Sequence, residues 1–257
     1  MFKVIGLSHL VFSNNSVNLK SSDFLNNNFE SPSNFKFNHS ILRKPMVRLK
    51  KNLLSNLSLY KSNLKSFPAL EVLHVSTKNS RIENSYGIIL NSETNSSKGL
   101  EKIIFCNSNF YANCLFDQNI NSYISYDTNL IKDKSLNGCW ITVNDFHEQV
   151  HILSNIFKLQ IHEEFEDICS FRCKLLNSTF SNFIIVLVNG KNKVNQTFND
   201  DLGISTIGWF ANTLEIDNDK NKNLQITDEF QIELLNNKFK AKFVYSNFGI
   251  SHELLKF

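Results

Sequence analysis

The chain has 257 residues, 42% of them hydrophobic, and a formal net charge of +3. That is enough apolar material for one large or two ordinary domains and too much for a disordered chain. Basic and acidic residues are interspersed rather than blocked, which argues against a nucleic-acid partner. No apolar run approaches the ~18 residues of a membrane span, and the first residues offer no small-residue cleavage site, so the expectation is a soluble, cytoplasmic protein.

In chain order, "VIGLSHLVFSNNS" at 4–16 reads as a buried strand with one imidazole, His9, in its middle and a polar turn at its end. A weak helical stretch follows at 17–25. An Asn- and Lys-rich excursion over 30–66 reads as an inserted loop, and its basic stretch "RKPMVRLKK" as a solvated surface segment. "FPALEVLHVS" then closes the first unit as a strand carrying Glu71. The second unit begins with the strand "SYGIIL"; "SKGLEKIIF" predicts a short helix, and "YANCLFD" and "NSYISYD" follow it.

The third unit is the clearest. "NGCWITVND" is a strand, and the next fifteen residues place Phe146, Val150, Leu153 and Phe157 on one helical face. Asp145 and Glu148 have the spacing of a capping box. His147 and His151 are four apart but lie off that face, which makes them solvated histidines. "EDICSFRCKLL" and "SNFIIVLVNG" read as strands, with room for another at "EEF". The fourth unit opens with "ISTIGWFANTLEI", passes through a polar connector at 217–228, and forms a hairpin across an Asn-Asn turn in "FQIELLNNKFKAKFVY". "FGISHELLKF" closes it with Glu253.

The five cysteines are an odd number without a CxxC pair, and each lies in or beside an apolar segment, as buried free thiols do. Cys169 and Cys173 would make a metal pair only on a helix, and the alternation around them predicts a strand. The units fall at 1–80, 81–136, 137–200 and 201–257. A strand-helix-strands unit that recurs four times and cannot bury its sheet face alone implies an α+β architecture of paired units.

These residues resemble the vicinal oxygen chelate superfamily, the glyoxalase, bleomycin-resistance and extradiol-dioxygenase-like proteins. The resemblance rests on "GLSHLVFSNNS" as the opening strand and on Glu71 and Glu253 in "FPALEVLHVS" and "SHELLKF". It implies tandem βαβββ modules forming two cupped sheets of mixed and antiparallel strands with helices outside. It also implies His9, Glu71 and Glu253 as ligands of a divalent metal (Zn, Mn, Fe, Ni or Mg), the two glutamates doubling as catalytic groups.

The later units depart from that pattern. Trp140 and Trp209 align with His9, the second unit offers Tyr86 or Gly87 there, and "FIIVLV" has no carboxylate. A metal site must then join the first and fourth units, which requires the two ends of the chain to pair. Trp140 and Trp209 are either core residues or aromatic walls that bind a flat ligand. Two function classes follow. One is a metal-dependent isomerase, epimerase, lyase or dioxygenase acting on a small oxygenated molecule. The other is a metal-free protein of the same fold that binds and sequesters a small molecule.

Overall fold

The protein is described by a computed structural model over residues 2–14, 19–38, 54–64, 67–74, 86–90, 99–105, 109–176, 181–191, 203–217, 224–234, 237–246 and 250–256. The basic stretch at 43–51 and Cys106 lie outside them. In chain order the elements are β1 (Val4–Asn14), α1 (Asp23–Asn28), β2 (Ser33–Asn38), β3 (Leu54–Tyr60), β4 (Ala69–His74), β5 (Tyr86–Ile89), β6 (Glu101–Phe105), β7 (Phe110–Asp117) and β8 (Ser122–Thr128). The second half continues with β9 (Asn137–Val143), α2 (Phe146–His151), β10 (Gln160–Phe165), β11 (Ile168–Lys174) and β12 (Ser181–Asn189). It ends with β13 (Gly203–Ala211), β14 (Gln225–Ile226), β15 (Phe230–Leu234), β16 (Asn237–Tyr245) and β17 (Ser251–Lys256).

These strands make two mixed sheets that curl into half-barrels. One has the order β14-β16-β17-β13-β1-β4-β3-β2, with β15 also paired to β16. The other runs β10-β11-β12-β9-β5-β8-β7-β6. At the centre of each, two strands pair antiparallel, β1 with β13 and β5 with β9. Each of these four then has a parallel partner outside it: β4, β17, β8 and β12. The first sheet is therefore built from both ends of the chain, and the middle of the chain makes the second.

Alternation along the strands sorts side chains between two faces. The back faces of both sheets share one core with the helices. Leu10, Phe12, Trp209 and Leu254 of the first sheet belong to it, as do Ile141, Phe171 and Ile185 of the second and Phe24, Leu25 and Phe146 of the helices. Phe157 is central there, its ring 5.8 Å from those of both Phe2 and Trp209. Cys114, Cys139, Cys169 and Cys173 are buried free thiols. Burial pushes Cys169 up to about 12 with Glu164 adding to it, so this thiol stays protonated and inert. His147 and His151 are exposed, and no helix among the described residues is long and apolar enough to cross a membrane.

Three local expectations are corrected. Residues 30–66 hold β2 and β3, paired antiparallel, where the polar composition predicts a loop. Phe35 opposite Leu57 supplies an apolar face, and the polar residues between face away. The stretch at 97–105 contains a strand, β6, not a helix: Ile103 and Phe105 are buried and Ile104 is exposed, a period of two. The helix after residue 145 is α-helical only over six residues and continues as a π turn, Ile152–Ile156, in which the Phe157 amide donates to the Ile152 carbonyl at 2.9 Å. No capping box forms. The Asp145 side chain caps no backbone amide and instead accepts from Gln149 Nε2 and Ser246 Oγ.

Candidate metal centre

His9 lies on β1, Glu71 on β4 and Glu253 on β17, three strands of the first sheet. Register puts them together. His9 faces Gly208 across the central pair, Gly208 faces Glu253, and Val11, two residues on from His9 and on the same face, is opposite Glu71. All three side chains therefore point into the cup. They are nearly dry, at 2%, 6% and 7% exposure for His9, Glu71 and Glu253. His9 Nε2 lies 3.1 Å from Glu253 Oε2 and 3.7 Å from Glu71 Oε2, while Nδ1 is 3.0 Å from Ser8 Oγ.

Ligating atoms of the three residues all lie within 4.8 Å of one another. Nitrogen and oxygen donors bound at ~2.0–2.2 Å to one ion sit roughly 3–3.6 Å apart, close to the two distances measured from His9. The charge balance agrees. Two carboxylates and one imidazole leave a dry site negative unless a cation or protons enter it. Burial by itself lowers the His9 pKa, but the charge of Glu71 and the hydrogen bond and charge of Glu253 outweigh it and carry it up to about 9. Burial also pushes the Glu71 carboxyl up, with His9 opposing and Glu253 reinforcing. The donor set fits a divalent cation that accepts mixed nitrogen and oxygen ligands.

Two apolar clusters flank the triad. Val11, Leu57 and Leu73 form a buried cluster on one side of the triad, and Phe239, Ala241 and Leu255 form another on the other side.

Gly208 makes room for the triad. A Cβ built there would lie 2.1 Å from His9 Cε1 and 2.4 Å from each ring nitrogen. Gly208→Ala is therefore expected to expel the His9 ring, cost about 1–3 kcal/mol of stability, and remove any metal held by the triad. Denaturant unfolding and metal content of the purified variant check this. Full metal retention would show that the ring does not need that space.

No protein-family model matches the sequence, and no curated protein is similar to it in sequence. Solved structures do match. Glyoxalase I from Zea mays superposes with a TM-score of 0.55 at 9% identity over 100% of this chain and 92% of its own, and a mutant of that protein with 0.56 at 9% over 99% and 94%. A protein of Bacillus subtilis proposed to be a dioxygenase gives 0.55 at 11% identity over 99% and 86%. The chain has the vicinal oxygen chelate fold.

Within this fold the second sheet repeats the frame of the first with different chemistry. Gly87 on β5 faces Trp140 on β9 as Gly208 faces His9, and its missing Cβ would lie 2.1 Å from the Trp140 ring. The same registers put Val188 at the position of Glu71 and Tyr123 at that of Glu253. Trp140, Val188 and Tyr123 all belong to one buried apolar cluster. The second cup thus holds no imidazole or carboxylate at any of the three positions.

The structure does not bring the two tryptophans together, and both are fully buried. Trp140 fills the second cup, its ring 5.6 Å from that of Phe105. Trp209 follows Gly208 and so points to the opposite face, into the shared core beside Phe157 and His252. Sequence reasoning missed Gln149 and Ser246, which are buried and bonded to each other behind the triad. One sign of Gln149 was legible. It is three residues after Phe146 and four before Leu153, an amide on the helix's apolar stripe.

Proposed function

We propose that this chain is a metal-dependent protein of the vicinal oxygen chelate type, with His9, Glu71 and Glu253 as the protein ligands and a small oxygenated molecule as substrate. The observation that carries the reading is the convergence of one imidazole and two carboxylates from three strands, buried between two apolar clusters. A bound divalent cation would act as a Lewis acid towards the substrate's oxygens. The chain's own residues set the rest. Val11, Leu57 and Leu73 keep water away, which strengthens every charge interaction at the triad. Glu71, whose affinity for a proton burial has raised, is suited to take a proton from a substrate carbon or oxygen beside it. Isomerase, epimerase, lyase and dioxygenase chemistry all fit such a centre, and fold alone selects none of them.

A second reading has its own support. An imidazolium at His9 bonded to Glu253 and 3.7 Å from Glu71 partly neutralises the cluster without any metal. On that reading the cup binds and sequesters a small molecule and performs no reaction.

Elemental analysis of the purified protein, with His9→Ala and Glu253→Gln beside it, separates the two. Near-stoichiometric metal in the parent and at least a tenfold drop in both variants is the expected result. A parent that takes up no metal after incubation with Zn, Mn, Ni or Fe would leave the sequestering protein as the reading.

A further inference from the structure

A continuous chain of hydrogen bonds runs behind the triad, on the other face of the same strands. Trp209 Nε1 donates to His252 Nδ1 at 3.2 Å. That fixes the tautomer, because an acceptor Nδ1 leaves the proton on Nε2 of a neutral ring. His252 Nε2 then donates to Gln149 Oε1 at 3.0 Å. The Gln149 amide is oriented in turn, its Nε2 donating to Asp145 Oδ2 at 3.1 Å and to Ser246 Oγ at 3.2 Å. Ser246 Oγ donates in turn to Asp145 Oδ2. Trp209, His252, Gln149 and Ser246 are all buried.

Two members of this chain are the immediate neighbours of site residues. Trp209 follows Gly208, which makes room for His9, and His252 precedes Glu253. Gly208 and Glu253 face each other across β13 and β17. Strand alternation makes the coupling strict: with His252 held on the core side, Glu253 must face the cup, and a slip of one residue would exchange them. The anchor is not in the sheet that carries the triad. Gln149 is on α2, which follows β9 of the second sheet.

We propose that Gln149, through His252 and Trp209, is a positioning residue that holds Glu253 against His9, so that the half of the chain with no ligating cup of its own completes the site of the other half. The proposal rests on the triad being the functional centre, and its primary test needs no metal. In the metal-free protein the bond between His9 Nε2 and Glu253 should give an exchange-protected, downfield imidazole proton signal, identified by its absence in His9→Ala. Gln149→Met fills the same space without hydrogen bonds and should lose or displace that signal. Gln149→Glu should restore it, because its carboxyl accepts from His252 and, sharing a proton with Asp145, still donates. Ser246→Ala, a milder change, should move the signal the same way and decides the matter if Gln149→Met does not fold.

Titration with Co(II) alone, followed by its visible absorption, adds the second readout. Gln149→Met should weaken binding about tenfold and shift the band, and Gln149→Glu should recover both. A merely structural role predicts lower stability with the His9 signal unmoved, and that result in Gln149→Met or Ser246→Ala overturns the proposal. A parent that binds no Co(II) while its His9 signal responds to Gln149 would sink the metal reading and leave the positioning role standing.

Discussion

Trp140→Ala should lower the free energy of unfolding by about 3–5 kcal/mol, while any metal uptake by the triad in the other sheet is unchanged. The ring is fully buried and packs over Gly87, whose absent side chain gives it room. Its surroundings cannot close over the gap cheaply, because β5, β9 and β12 are pinned to one another by their ladders. A sealed second cup therefore contributes stability where the first holds the buried polar triad. Trp140→Phe is the control. The indole Nε1 has no hydrogen-bond partner among the described residues, so this change loses packing volume and should cost less than about 1.5 kcal/mol. Urea unfolding of the three proteins measures both differences. A loss below about 1 kcal/mol for Trp140→Ala would show that the ring is not what fills the cup.

The contrast between His9 and Trp140 shows what the sequence could reveal. Alternation in "VIGLSHLVFSNNS" and "NGCWITVND" was enough to find β1 and β9 and to lay Trp140 over His9, a correspondence the strand registers reproduce. For the fourth unit the same comparison chose Trp209, which faces the shared core instead of the cup. The residue opposite His9 is Gly208, and a glycine has no side chain to mark its face. The triad was legible because imidazole and carboxylate inside apolar strands are conspicuous. Gln149 and Ser246 were not, since their roles depend on which elements pack behind the sheet, and no local pattern states that. Short strands such as β6 and β2 were hidden for a related reason: each has only two or three inward residues, too few for period two to stand out against Asn- and Lys-rich flanks.

Acid should destabilise the protein through His252. Burial lowers its pKa to about 3 in the folded state, against 6.5 for the ordinary value. The unfolded chain therefore takes up a proton near pH 6.5 that the native state refuses. The stabilisation is complete above pH 6.5 and is lost progressively as pH falls towards 3. The ceiling is about 5 kcal/mol over the whole range, with a slope of at most ~1.4 kcal/mol per pH unit. His74, lowered by burial, acts in the same direction, whereas Glu71, raised by burial, opposes it. His9 governs the other side of neutrality. Its folded pKa of about 9 lies above the ordinary value, so its contribution is complete below pH 6.5 and disappears as pH rises through 9.

The metal-free protein should thus be most stable near pH 6.5, with an acid limb from the back face of β17 and an alkaline limb from the triad. Denaturant unfolding between pH 4 and 9.5 in the presence of a chelator tests this, together with NMR signals of the His252 ring, expected to stay in the neutral form down to about pH 4. Flat stability between pH 7 and 5, or a His252 ring that protonates near 6.5, would remove the acid limb. Metal gives the two limbs different fates, because a ligating imidazole must be neutral. Saturating the triad should abolish the alkaline loss and steepen the acid loss between pH 6.5 and 5.5 by up to one further proton, since the metal then holds His9 neutral as burial holds His252 while the unfolded chain protonates both.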